Sequence, residues 1–302
     1  MIIGYRAGMP VAVVTDSTAY LPDELADRHN LTVVPLTVVI AGVARREGVD
    51  LTPADVARAL SARRPAVSTS RPAPEQFVET YRQLLGPPGA ADGGQASAIV
   101  SVHLSAGLSG TVEAADLAAR EVGTDRVVVV DSGSTGMGLG FPALAAAAAA
   151  AAGGQLHEVR SAAVEAAART RTLFYVDTLE HLRRGGRITA ASALLGTALS
   201  VKPILQMQDG RIVLRDKVRT AARALEKLVD LAWAAAGDAP AVDIAVHHLG
   251  DPDRAAALRA QLADRLGDRL RDSYVAQTGA VVTAHTGPGL LSIVVHRRAL
   301  VA

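Results

Sequence analysis

Along the first half of the chain, short apolar runs alternate with stretches of helical periodicity. Residues 11–15 have the length and apolar content of a buried strand. A short helix opening at Pro22 and closing near Arg28 follows. Next comes a Val, Leu and Thr run over 31–40 that Pro35 interrupts. Thr52, Pro53 and Asp55 predict a helix start, with Thr as N-cap, Pro in the first position and an acid three residues after the cap. A second helix is expected after Pro72 and Pro74, running to about Leu85, and a Gly/Pro/Ala loop over 86–95. Strand and helix signals alternate at 97–103, 108–121 and 126–131, and past a glycine loop in an alanine-rich stretch to Ala152. This order implies a mostly parallel sheet covered by helices.

Gly153 and Gly154 are expected as a hinge between two domains, residues 1–153 and 154–302. The second half predicts helices over 157–169, 177–182, 220–236 and 252–266, and strands at 173–176, 242–247, 271–277 and 290–295. The segments 202–208 and 211–215 flank Asp209 and Gly210, a strong hairpin turn signal. The expected fold is therefore α/β: an N-terminal mostly parallel sheet with helices, then a mixed α/β domain. The first ten residues, with Gly4, Gly8 and Pro10, read as a short disordered leader rather than a secretory signal.

Composition narrows the function. A chain of 302 residues, 49% hydrophobic and 20% charged, has the material for about two packed domains. Its 31 basic and 30 acidic residues give a net charge of +1, so no bulk attraction draws it to nucleic acid or an anionic membrane. The absence of cysteine removes disulfides, thiolate metal sites and a cysteine nucleophile, and it fits a cytoplasmic location. No segment reaches the roughly 20 apolar residues of a membrane span, so stable membrane insertion is not expected.

The candidate chemistry lies in hydroxyl-bearing loops. In HLSAGLSGT, residues 103–111, a strand leads through glycines into a helix; Ser109 and Thr111 either donate to an anion at that helix start or Ser109 caps it. Ser68, Thr69 and Ser70 precede another helix and can cap it or donate to a ligand. Asp16, within TDST at 15–18, either marks a ligand site at a strand end or accepts backbone N–H groups in a turn. Gly136, Gly138 and Gly140 do not form the dinucleotide fingerprint and read as a tight turn. His247 and His248 adjoin on a strand and face opposite sides, so they cannot chelate one metal as a pair. His285, in AHTGPG at 284–289, sits in a glycine turn as a solvated imidazole or, with Ser109, as half of a serine hydrolase. Against the latter, GLSGT misses G-x-S-x-G by one residue, and no acid has an evident orienting role.

Taken in order, eight segments resemble the DegV family, whose members bind fatty acids. They are TDST at 15–18, VPL at 34–36, TSRP at 69–72, HLSAGLSGT at 103–111, LRRGGRI at 182–188, KPIL at 202–205, Arg219 with Thr220, and HTGPG at 285–289. The resemblance implies two α/β domains with one long-chain fatty acid between them and no cofactor, metal or catalytic residue. Thr69 and Ser109 would hold the carboxylate, helped by the backbone N–H of Gly110, with His285 near and Ser70 and Arg71 as possible additions. Relatives that serve as binding subunits of bacterial fatty acid kinase present the acid to a separate ATP-dependent kinase subunit, which makes the acyl phosphate for phospholipid metabolism. By that analogy Arg183, Arg184, Arg187 and Arg219 would dock the kinase, outside the lipid site. A serine esterase using Ser109 and His285 is the alternative. Two positions depart from the family: Arg71 stands where Gln is usual, placing an extra cation close to the carboxylate, and Ala106 stands where a second Ser is frequent.

Overall fold

A computed structural model describes residues 10–22, 24–62, 66–86, 96–188 and 201–299. The expected leader and most of the 86–95 loop lie outside the described residues. Four parallel strands, β1 (Val11–Asp16), β2 (Leu31–Val34), β6 (Ala98–His103) and β7 (Val127–Asp131), form a sheet in the order β2-β1-β6-β7. Pro35 ends β2, and the chain leaves for a small antiparallel sheet, β4-β3-β5, built from β3 (Thr37–Ile40), β4 (Val43–Arg46) and β5 (Val67–Ser70). The single strand expected over 31–40 is thus two strands in different sheets, because proline lacks the N–H a ladder needs.

Helices α1 (Leu25–Arg28) and α2 (Pro53–Leu60) flank these strands. The N-terminus of α2 closes as its sequence predicts: the Thr52 hydroxyl accepts from the Asp55 N–H, and the Asp55 carboxylate accepts from the Thr52 N–H. Helices α3 (Pro74–Leu85) and α4 (Thr111–Val122) pack together against the parallel sheet. Helices α5 (Met137–Ala151) and α6 (Leu156–Arg169) also pack on it, and both touch strands of the second large sheet as well.

That second sheet has six strands in the order β10-β9-β8-β13-β11-β12 and is antiparallel except between β11 and β12. Its members are β8 (Thr170–Tyr175), β9 (Lys202–Gln208), β10 (Arg211–Val218), β11 (Val242–His248), β12 (Leu270–Gln277) and β13 (Leu291–Arg297). Helices α8 (Ala221–Ala236) and α9 (Pro252–Leu266) pack against this sheet. Two short helices, α7 (Glu180–Arg184) and α10 (Ala280–Thr286), pack against each other, and α10 also rests on α2, β3 and β5.

The position of α5 explains its composition. A helix apolar on every side belongs between layers. Met137 and Phe141 of α5 cluster with Ala245 of β11 and Val294 of β13, while Leu139, Ala143, Ala146 and Ala147 join the core of the parallel sheet. Its glycines serve close approach. A Cβ on Gly138 would lie 2.1 Å from Ser134 Oγ and 2.3 Å from Thr172 Oγ1. Only Gly136, at φ 61°, makes the expected turn; Gly138 and Gly140 are helical. Gly153 and Gly154, expected as a hinge, join α5 to α6, two helices packed on one another.

Candidate functional site

A cavity of about 420 Å3 lies between the two large sheets, a volume within the usual range of small-molecule sites. Its apolar wall combines Leu36, Leu104 and Leu108 from the N-terminal lobe with Phe174, Leu182, Met207, Ile212, Val281, Val282 and Leu290 from the C-terminal lobe. Few aromatic residues contribute, in line with an aromatic content of 3%. Thr69, Ser70, Arg71, Ser109, Gly110, Arg187 and His285 also line it.

Each polar group is placed by its element. Thr69 lies on β5 opposite Val38 of β3 and faces α10, where its Oγ1 is 2.7 Å from His285 Nε2. This contact joins the two halves of the chain. His285 is in the last turn of α10, not in a solvated loop. Burial, seconded by the Arg187 charge, pushes its pKa down to about 4, so the imidazole is neutral near pH 7. A helix of only seven residues is too short to show a period in the sequence, although Gly279 and Gly287 mark its two ends.

Ser109 does not cap α4. The N-cap is Gly110 with no side-chain bond, and the helix begins at Thr111. The Ser109 hydroxyl pairs with Thr111 Oγ1 at 2.9 Å. The loop leading to it is anchored from several sides. Asp16, buried at the end of β1, accepts the Leu104 N–H at 2.9 Å and the Thr18 N–H at 3.0 Å, and it lies 3.0 Å from His103 Nδ1. Asp131 accepts the Ala106 N–H at 3.2 Å, and Ser105 Oγ donates to the Gly210 carbonyl at the β9–β10 turn at 2.6 Å. Asp16 is therefore a brace for the Ser109 loop and not a wall residue.

Arg187 corrects the expectation of a wholly external basic cluster. Its Nε donates to the Leu108 carbonyl at 3.1 Å and its Nη1 to the Gly185 carbonyl, which turns the half-buried guanidinium onto the cavity wall beside Ser109. Arg183 and Arg219 are exposed, and Arg184 pairs with Glu180 four residues away. Arg71 also differs from expectation. It lines the cavity but its Nη1 pairs with Glu113, so its charge is already countered. Ser70 is exposed at the rim, and its hydroxyl donates to the Arg71 carbonyl.

The hydrolase geometry does not form at Ser109. Its hydroxyl bonds Thr111, and His285 Nε2 contacts Thr69 instead. A carboxylate–imidazole–hydroxyl chain does exist elsewhere, from Asp16 through His103 to Ser101 and Tyr81. All four are buried at 0% exposure, out of a substrate's reach. His247 and His248 have separate partners: His247 Nε2 accepts the Met137 N–H at 2.9 Å, and His248 Nδ1 accepts the Asp251 N–H at 3.3 Å. Among the described residues no group of three or more His, Asp or Glu side chains could hold a metal ion.

Hydroxyls, an imidazole and a guanidinium thus share the wall of one apolar cavity between the two lobes. The profile of the DegV family, "uncharacterised protein, DegV family", matches residues 10–298, and this chain belongs to that family. It is 56% identical over 291 residues to a DegV domain-containing protein of Streptomyces coelicolor, covering 95% of this chain and 99% of that one. Among solved structures it is similar to a fatty-acid-binding DegV family protein from Thermus thermophilus, with 34% identity, a TM-score of 0.88, and coverage of 96% and 100% of the two chains. DegV from Bacillus subtilis, described as a fatty acid binding protein, aligns at 32% identity and a TM-score of 0.83 over 96% and 100%.

Proposed function

We propose that this protein binds one long-chain fatty acid between its lobes and presents the carboxylate to a separate ATP-dependent kinase subunit, performing no chemistry itself. The observation that carries the binding reading is the Thr69–His285 contact across the lobes, on the wall of an apolar cavity that also bears Ser109 and Arg187. Thr69, Ser109, the Gly110 N–H and His285 would contact the carboxylate, with Arg187 supplying the charge. A buried carboxylate needs such donors, because leaving it unpaired costs several kcal/mol. About 15 methylenes at about 0.8 kcal/mol each give a gross burial near 12 kcal/mol, and ordering and association costs reduce it to ordinary ligand affinities. The named function of the Thermus and Bacillus relatives supports the same ligand class.

The presentation step rests on Arg183, Arg184 and Arg219, all exposed on the C-terminal lobe, as cations open to a partner. A cytoplasmic site of action suits such a kinase partner. The lobes of this working unit divide best near Arg169 and Thr170, since α6 packs with α5 on the parallel sheet. Calorimetry with oleate and with methyl oleate tests the binding reading: oleate binds, and the ester, lacking the charge, binds at least tenfold more weakly (about 1.4 kcal/mol). Equal affinity for both contradicts the assigned head-group site.

A further inference from the structure

Helix α10 supplies a large share of the cavity wall, through Val281, Val282, His285 and Thr286. Its first turn is not capped by its own residues: the N-cap is Gly279, with no side-chain bond. Side chains from the opposite lobe take that role. The Val281 N–H donates to Glu47 Oε1 at 2.7 Å, and the Val282 N–H donates to Tyr20 Oη at 3.0 Å. The Tyr20 hydroxyl donates onward to Glu47 Oε1 at 3.2 Å, and Ser17 Oγ donates to Glu47 Oε2 at 2.5 Å. Ser17 is itself fixed by the Leu36 N–H at 3.0 Å.

Glu47 is 5% exposed, and the groups acting on it are hydrogen-bond donors and the Asp16 carboxylate. A buried carboxylate is costly unless its oxygens are hydrogen-bonded, and the donors from Ser17, Tyr20 and Val281 meet that need. Space around it is equally committed. A Cβ on Gly279 would lie 2.3 Å from both Glu47 Oε1 and Tyr20 Cε1. The lobes therefore close on one another at this point with no room to spare. Four residues past Val281 along α10, about one helical turn or 6 Å, His285 meets Thr69. Helix α10 is thus tied to the N-terminal lobe at its first turn and at its last.

We propose that Glu47, assisted by Tyr20, is a positioning residue: by holding the first turn of α10 it sets His285 against Thr69 and keeps the cavity closed over its ligand. This inference rests on the fatty-acid reading above for its ligand, but not for its geometry. Glu47 does not line the cavity, whereas Tyr20 does, so for Y20F the ligand-free His285 midpoint is the deciding readout. The effect of Glu47 is transmitted through the Val281 N–H and the rigid helix that follows.

The test uses the full chain with E47A, E47Q and Y20F. The first readout needs no ligand: the NMR titration of the His285 imidazole, which burial should hold down to about 4 in the wild type. In E47A the freed helix lets water reach His285, and the midpoint rises by about one unit or more toward the ordinary value of about 6.5. Y20F, which removes the acceptor of the Val282 N–H but keeps the ring, shifts it in the same direction. Gln at position 47 keeps an oxygen for the Val281 N–H, and E47Q restores most of the wild-type midpoint. The second readout is oleate dissociation, faster by about tenfold in E47A (about 1.4 kcal/mol) and largely rescued in E47Q. If E47A does not fold, Y20F and E47Q carry the comparison. Wild-type midpoints and dissociation rates in both E47A and Y20F, or a midpoint in Y20F unchanged when E47A is unfolded, overturn the proposal. A wild-type protein that takes up no oleate overturns the fatty-acid reading instead, while the ligand-free His285 titration still decides the role of Glu47.

Discussion

Replacing Arg187 with Met removes a cation from the cavity wall while keeping an apolar stem of similar reach. The guanidinium carries five N–H donors. Two bonds are spent within the protein, one on the Leu108 carbonyl and one on Gly185, so three N–H groups remain for a ligand. One charge-assisted bond to a carboxylate is worth about 1.5–3 kcal/mol, so R187M should weaken oleate binding roughly tenfold to 150-fold. R187K should recover part of the loss, because it keeps the charge but not the planar fork. Oleyl alcohol separates charge from shape: it has the same chain and no carboxylate, and its affinity should change about threefold at most. Calorimetric titration of both ligands into wild type, R187M and R187K at pH 7.5 measures these differences. Wild-type affinity for oleate in R187M, or an equal loss for oleate and oleyl alcohol, refutes the placement of Arg187 at the head group.

S109A and T69A should each weaken oleate by about 1.5–3 kcal/mol, and the double variant should lose less than the sum because both donors serve one acceptor; unchanged affinity in the double variant would put the head group elsewhere. Acid should destabilise the fold. His247, His285 and His296 are each held down to about 4 by burial, so the unfolded chain takes up protons from about pH 6.5 while the folded chain resists until about 4. Stability therefore falls through that window, by about 2 kcal/mol per histidine at pH 5, offset in part by Glu47, whose carboxyl burial pushes up. Urea unfolding at pH 7.5 and 5 measures this, and equal midpoints would contradict it. R183E, at an exposed position free of the Arg184–Glu180 pair, should leave oleate affinity intact and slow acyl-phosphate formation by the cognate kinase, more at physiological than at high salt. A loss of both activities, or of neither, would remove Arg183 from the docking face.

Much of the architecture is written in local signals, and the departures have local causes. Thr52 with Asp55, the prolines before α3 and the Asp209-Gly210 turn act within a few residues, so they read directly from the sequence. Strand β5 did not, because Val67, Ser68, Thr69 and Ser70 are too short and polar to show a period; their extended form depends on pairing with β3. The sequence pattern places the start of α4 three residues early because Leu108 extends the apolar run, whereas Gly110 is the last residue before helical geometry. Thr69, Ser109 and His285 were legible as a set only through the family motifs, since 216 residues separate Thr69 from His285. The inward turn of Arg187 was hidden for a similar reason: two carbonyls direct it, and one, on Leu108, lies 79 residues away. Glu47 gave no signal, because its partners Ser17, Tyr20 and Val281 meet only in the closed fold.

The most direct test of a lipid-holding cavity is native mass spectrometry of the protein as purified, with extraction and identification of whatever it carries. The account predicts a mass increment of one long-chain fatty acid per chain, lost on extraction and restored by added oleate or palmitate. A protein that emerges empty and takes up neither acid would contradict it.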